Sequence, residues 1–198
     1  MRKYAIVAST ILMTGGLMFG QTTASSSGTS ADTSKPAASK SSKKMDDTFA
    51  MKAAQGGLAE VQLGQLAAQK ASNPDVKAFG QKMVEDHQKA NDELKQAAAK
   101  GNVALPTEPS AKEKAEAARL DKLSGAAFDK AYMMHMVADH KKDVAEFQRE
   151  AKSGQDEQIK NFAQQTVPTL QEHLKMAQET QSKLKGSSSA KSASASAQ

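Results

Sequence analysis

Glu60, His87, His140, Asp143 and His173 are the residues whose types and spacing could do chemistry together. Neutral imidazole and carboxylate are ligands of Zn, Fe, Mn and Cu ions, and each of the five sits where a helical wheel expects an apolar side chain. At ~100° per residue, His87 is centred on a face made by Val76, Gly80, Met83, Val84 and Leu94, which Asn91 shares. His140 falls among Met133, Met136, Val137, Val144 and Phe147, with Asp143 one turn along on the same side. His173 is flanked by Phe162, Thr166, Leu170 and Met176, and Glu60 by Phe49, Ala53, Leu63 and Ala67. The remaining histidine, His135, comes out on the opposite side from His140 and is expected to face water.

Burying an ionised carboxylate and several imidazoles without partners is costly, so these groups must satisfy one another or hold something. Two readings follow. In the first, all five converge on one layer as metal ligands. In the second, Glu60–His87 and Asp143–His173 pairs form a hydrogen-bonded network that fixes helix register. The Met133, Met134, Met136 and Met176 stripe reads as core packing rather than as a copper site.

The elements that would position these residues are helical. Residues 46–185 are rich in Ala, Gln, Lys, Glu and Leu and carry almost no strand signal. Turn punctuation at Ser72-Asn73-Pro74-Asp75, along Gly101 to Pro109 and at Ser153-Gly154-Gln155-Asp156 divides them. The division predicts helices over about 47–71, 74–100, 111–152 and 156–184. Ser124-Gly125 is expected to break the third helix and Pro168 to kink the fourth. Two tight hairpins joined by a long connection describe an all-α four-helix bundle. Glu60 and His87 stand almost equally far before and after Asn73, so they meet at one level. His140, Asp143 and His173 around Gly154 are staggered by about one turn of ~5.4 Å. The halves also resemble each other: Val76-Lys77-Ala78-Phe79 matches Ile159-Lys160-Asn161-Phe162. A duplicated hairpin accounts for this, and so does chance likeness between Ala/Lys/Gln-rich helices.

The chain ends carry a different message. Met1-Arg2-Lys3, an apolar run from Tyr4 to Gly20 and Thr22/Ala24 read as a signal peptide over 1–24, cut after Ala24; an uncleaved anchor is the alternative. Residues 25–45 (Ser/Lys-rich linker) and 186–198 (Ser/Ala tail) are expected to be disordered. The formal charge of +5 resides in those ends, leaving 46–185 nearly neutral, so no nucleic-acid partner is expected. With no Cys, a disulfide scaffold, a thiolate metal site, a Cys nucleophile and a lipoprotein anchor are excluded.

The segments Ala54-Gln55-Gly56-Gly57-Leu58-Ala59-Glu60, Met83-Val84-Glu85-Asp86-His87, Val137-Ala138-Asp139-His140-Lys141-Lys142-Asp143 and Thr169-Leu170-Gln171-Glu172-His173 carry a resemblance. Over about 46–182 the chain resembles the bacterial domain-of-unknown-function family 4142, whose members are often labelled predicted outer-membrane or exported proteins. The resemblance implies a ferritin-like fold and an exported address, in the periplasm or at the outer membrane, but no reaction. The wider ferritin-like group implies a di-iron site with one carboxylate on the first and third helices and Glu-x-x-His on the second and fourth. Glu60 and Asp143 can stand for the carboxylates, and His87 and His173 for the histidines. Val84 and Leu170 occupy the positions of the missing Glu residues, and His140 is an extra imidazole. A single, nitrogen-richer metal ion therefore fits better than a di-iron oxidase.

The expected function is metal binding for storage, buffering or stress protection, by a protein that leans away from being an enzyme. The alternatives are a non-enzymatic envelope or interaction module and a metal-dependent oxidase or peroxide scavenger. No phosphate-binding Gly loop or Ser/His/Asp constellation is present, and no catalytic residue is assigned. Envelope association and a homo-oligomer are open partner expectations.

Overall fold

The computed structural model describes the backbone of residues 35–195 and the side chains of 43–186. The expected signal peptide, its cut after Ala24, the linker up to residue 34 and residues 196–198 lie outside the described residues. Among the described residues the chain is all helical: α1 (Lys35–Lys70), α2 (Pro74–Gly101), α3 (Ala111–Asp121), α4 (Gly125–Ser153) and α5 (Glu157–Ala195). α1 packs chiefly on α2 and α4 on α5, with α2 against α5 joining the two antiparallel hairpins into a four-helix bundle. The short α3 belongs to the long connection and lies against α1 and α4. No helix among the described residues is long and apolar enough to cross a membrane.

Side-chain caps start α2, α3 and α5. Asn73 accepts from the Asp75 and Val76 amides at 2.8 and 3.3 Å, with Pro74 in the first turn, where a missing N–H costs nothing. Asp156 repeats this for α5, accepting from Gln158 and Ile159 at 2.9 and 3.2 Å. Ser110 and Glu113 form a capping box on α3. Each hairpin turn is also held from outside. Asp129 of α4 accepts from the Ser72 and Asn73 amides at 3.0 Å each and from the Ser72 hydroxyl at 2.5 Å. Asp46 of α1 accepts from the Gln155 and Asp156 amides at 2.9 and 2.7 Å. Each hairpin thus supplies a carboxylate that satisfies the orphan amides of the other's turn.

Two boundaries differ from expectation. α1 begins at Lys35 and α5 runs on to Ala195, so parts of the Ser/Lys linker and the Ser/Ala tail are helical. Extending an existing helix adds one hydrogen bond per residue without a new nucleation cost, and Ala, Lys and Ser tolerate it. α5 also continues through Pro168 as one helix. The third expected helix is interrupted at Ser124-Gly125, giving α3 and α4.

The core lies in two apolar clusters. One gathers Leu63, Phe79, Met83, Tyr132, Met133 and Met136; the other Phe49, Leu94, Phe147, Phe162 and Leu170. On every long helix one buried imidazole or carboxylate stands in sequence between members of the two clusters: Glu60, His87, His140 and His173. Of the methionine stripe, Met133 and Met136 pack inside while Met134 is exposed.

Candidate metal centre

Glu60 and His87 face each other because α1 and α2 approach closely nearby, one turn along α1 and two turns along α2. A Cβ on Gly64 would meet the Gly80 carbonyl at 2.6 Å, and one on Gly80 would meet Ala67 Cβ at 2.7 Å. Only hydrogen at both positions lets the helices come this near. Beyond this contact, His87 Nδ1 lies 3.0 Å from Glu60 Oε2, both side chains buried.

Three rings meet beside that pair. The centroids of His87, His140 and His173 stand 5.8, 5.2 and 5.4 Å apart, a nearly equilateral triangle. One ring nitrogen of each is anchored. His87 Nδ1 faces Glu60, His140 Nδ1 lies 3.1 Å from the Met136 carbonyl, and His173 Nε2 lies 2.7 Å from Asp86 Oδ2. The Met136 carbonyl and the Asp86 carboxylate can only accept, so His140 and His173 donate from the anchored atom and keep the lone pair on the other nitrogen; His87 does the same when Glu60 accepts from its Nδ1. Those other atoms, His87 Nε2, His140 Nε2 and His173 Nδ1, are buried and have no hydrogen-bond partner. One ligand nitrogen from each ring lies within 4.8 Å of the others. An acceptor fixing the far nitrogen of each ring is how metal-ligating histidines are oriented.

Electrostatics keeps the rings in the ligating form. Burial holds His87 well below the usual imidazole range, reinforced by His140 and His173. Burial brings His140 down to about 3, and it lowers His173 against the opposing hydrogen bond from Asp86. All three are neutral at neutral pH, as coordination requires. Asp86 is itself opposed by burial, but hydrogen bonds from His173 and Lys82 outweigh this and hold it below the usual carboxylate range. It is the ionised acceptor that His173 needs.

Asp143 is placed differently from the expected pairing. His173 pairs with Asp86 of the neighbouring α2, not with Asp143, because α5 packs against α2. Asp143 instead groups with Glu60 and Asp139, their carboxylate oxygens within 4.8 Å of one another. Burial and then the Asp139 charge push Asp143 up to about 7, against Lys142. Burial, then Asp143, Asp139 and Glu113, pushes Glu60 well above the usual range. A cavity of about 250 Å³ reaches this group, with Glu60 and His87 among its lining residues. The five expected residues therefore form two groups, imidazole and carboxylate, joined through Glu60. His135 is largely covered rather than solvated, its side chain 23% exposed, and Glu116 of α3 reaches it at 3.5 Å.

Sequence reasoning missed Asp86, Asp139 and Tyr132. The first two were visible as the Asp of each Asp-His pair, Asp86-His87 and Asp139-His140. Tyr132 is buried with an unpartnered hydroxyl, and burial and then Glu60 hold its phenol above the usual range. Nothing in its spacing set it apart from core aromatics.

Residues 31–180 match the family described as Domain of unknown function (DUF4142). The chain belongs to this family. That match includes every imidazole and carboxylate of the two groups, and α5 runs on beyond it to Ala195. No curated protein and no solved structure matches the chain. Family membership names no reaction, so the geometry has to carry the functional reading.

The same geometry bears on the di-iron correspondence. Asp46 and Asp129, Glu60 and Asp143, Asn73 and Asp156, Val76 and Ile159, Phe79 and Phe162 all stand at one constant separation along the chain. By that separation the counterpart of His87 is Leu170, and His173 lies one turn beyond it. His173 therefore does not occupy the second histidine position of a symmetric di-iron site.

Proposed function

We propose that this is an exported helical-bundle protein that binds one transition-metal ion through His87, His140 and His173, for storage, buffering or stress protection. The observation that carries the reading is a set of three buried rings, each with one anchored and one unpartnered nitrogen, that bring a nitrogen apiece within 4.8 Å of one another. Leaving three such atoms without partners in the bundle core would cost ~1–3 kcal/mol each, and a bound cation removes that cost. A three-nitrogen set without thiolate suits Zn, Cu or Fe ions, whereas Mn prefers oxygen. Glu60, Asp86 and the Met136 carbonyl orient the ligands. The exported address rests on the charged and apolar character of residues 1–24.

The competing reading is a purely structural network, supported by the Glu60–His87 and Asp86–His173 contacts. Metal analysis of full-length protein made without a His tag and loaded with zinc separates the two. The expected result is one tightly held zinc ion per chain, lost in His173→Ala and retained in His135→Ala. Equal zinc in wild type and His173→Ala would leave the network.

A further inference from the structure

We propose a second cation site, ligated by oxygen alone, formed by Glu60, Asp139 and Asp143 at the inner end of the cavity. It goes beyond the imidazole centre, shares Glu60 with it, and does not require that centre to be occupied. Two turns of α4 present Asp139 and Asp143, and α1 presents Glu60 across from them. One carboxylate oxygen of each lies within 4.8 Å of the other two.

Glu60 distinguishes this group from an ordinary acidic surface. Its side chain is only 4% exposed, it lines the cavity, and its Oε1 makes no hydrogen bond. Oε1 sits 3.5 Å from His140 Nε2, while Oε2 faces His87. Oε1 is thus left without a hydrogen bond, and Glu60 can offer an oxygen to a cation while Oε2 keeps the His87 contact.

Asp143 shows the same availability for a different reason. Its counterpart Glu60 has an imidazole opposite, but the counterpart of His87 is Leu170, which cannot pair with a carboxylate. Asp143 is left with a loose ion pair to Lys142 Nζ at 3.9 Å, and Asp139 with His135 Nε2 at 4.0 Å. Lys142 is largely exposed and opposes only part of the charge of three carboxylates, with Glu113 and Glu146 also lining the cavity. An oxygen-only set selects hard divalent ions such as Mn or Ca over the ions that imidazole prefers.

The test is a Mn(II) titration of the full chain followed by electron paramagnetic resonance, with and without one equivalent of zinc. Wild type is expected to bind one Mn(II) ion per chain. The Asp139→Asn/Asp143→Asn double variant should bind it at least tenfold more weakly while its zinc content stays unchanged. His173→Ala, which leaves Glu60, Asp139 and Asp143 in place, should keep Mn(II) binding while losing zinc. Wild type that binds Mn(II) no more tightly than the double variant would overturn the second site. Mn(II) bound through the carboxylates with no zinc held by wild type would instead overturn the imidazole centre alone. Because Asp139 and Asp143 are partly exposed, unchanged circular dichroism is expected for the double variant; if it unfolds, Asp139→Asn alone, expected to weaken Mn(II) at least threefold, decides.

Discussion

The two hairpins, α1–α2 and α4–α5, agree in their scaffold and differ in their chemistry. At equivalent positions both carry a turn-holding aspartate (Asp46, Asp129), a helix-starting Asn or Asp (Asn73, Asp156), a core phenylalanine (Phe79, Phe162) and an inward carboxylate (Glu60, Asp143). The imidazoles break the pattern. His87 stands opposite Leu170 in this correspondence, His140 opposite Gly57, and His173 opposite Ala90. Repeated parts hold the bundle together, and unrepeated parts make the site. The consequence is spatial as well: one carboxylate acquires a ring partner, and the other is left facing the cavity.

The largest expected effect comes from erasing that difference. His87→Leu gives the first hairpin the residue that the second already has, removing one ligand and the partner of Glu60. Zinc affinity should fall by more than ~100-fold, beyond the ~10–100-fold typical of losing only an orienting group, as read by competition with a chromophoric chelator. A loss under tenfold would mean that the rings are not the ligands.

Next come the turn holders, where the hairpins should behave alike but not equally. Asp129 accepts three hydrogen bonds and Asp46 two, and both are buried. Asp129→Ala should cost ~2–3 kcal/mol and lower the melting temperature by ~4–8 °C, with Asp46→Ala costing about half as much. Calorimetry of the metal-free proteins reads both. The reverse order would show that the second turn depends more on its cross-hairpin contact than the first.

The smallest effect sharpens a further asymmetry. Glu150 of α4 has Ala67 as its counterpart and is pushed up to about 7, first by burial and then by the charge of Asp46 and a hydrogen bond with it. Because the folded protein keeps a proton that the unfolded chain releases near ~4.5, this contribution is full below that pH and is lost as pH rises through about 7. Wild type should therefore lose stability relative to Glu150→Gln as pH increases from 4.5 to 7.5. Parallel urea-midpoint profiles for the two would remove Glu150 as the cause.

Helix number and the inward faces were legible because a 3.6-residue period places each buried residue by its own helix alone. The meeting of Glu60 with His87 was legible too, since counting outward from Asn73 sets heights within one hairpin. Which carboxylate meets His173 was not. That depends on α5 lying beside α2, a relation between hairpins that residue counting cannot reach, and it made Asp86 rather than Asp143 the partner. Asp139 escaped for a related reason: it lies off the centre of the buried face and enters the group only because Glu60 comes across from α1. The helical stretches at 35–45 and 186–195 escaped because composition describes the cost of starting a helix better than the ease of continuing one.

X-ray absorption at the zinc edge, on full-length untagged protein holding one equivalent of zinc, tests the central claim most directly. The account predicts a first shell of nitrogen or oxygen at about 2.0–2.1 Å, with outer-shell scattering from three imidazole rings. A shell of light atoms without imidazole scattering would contradict it.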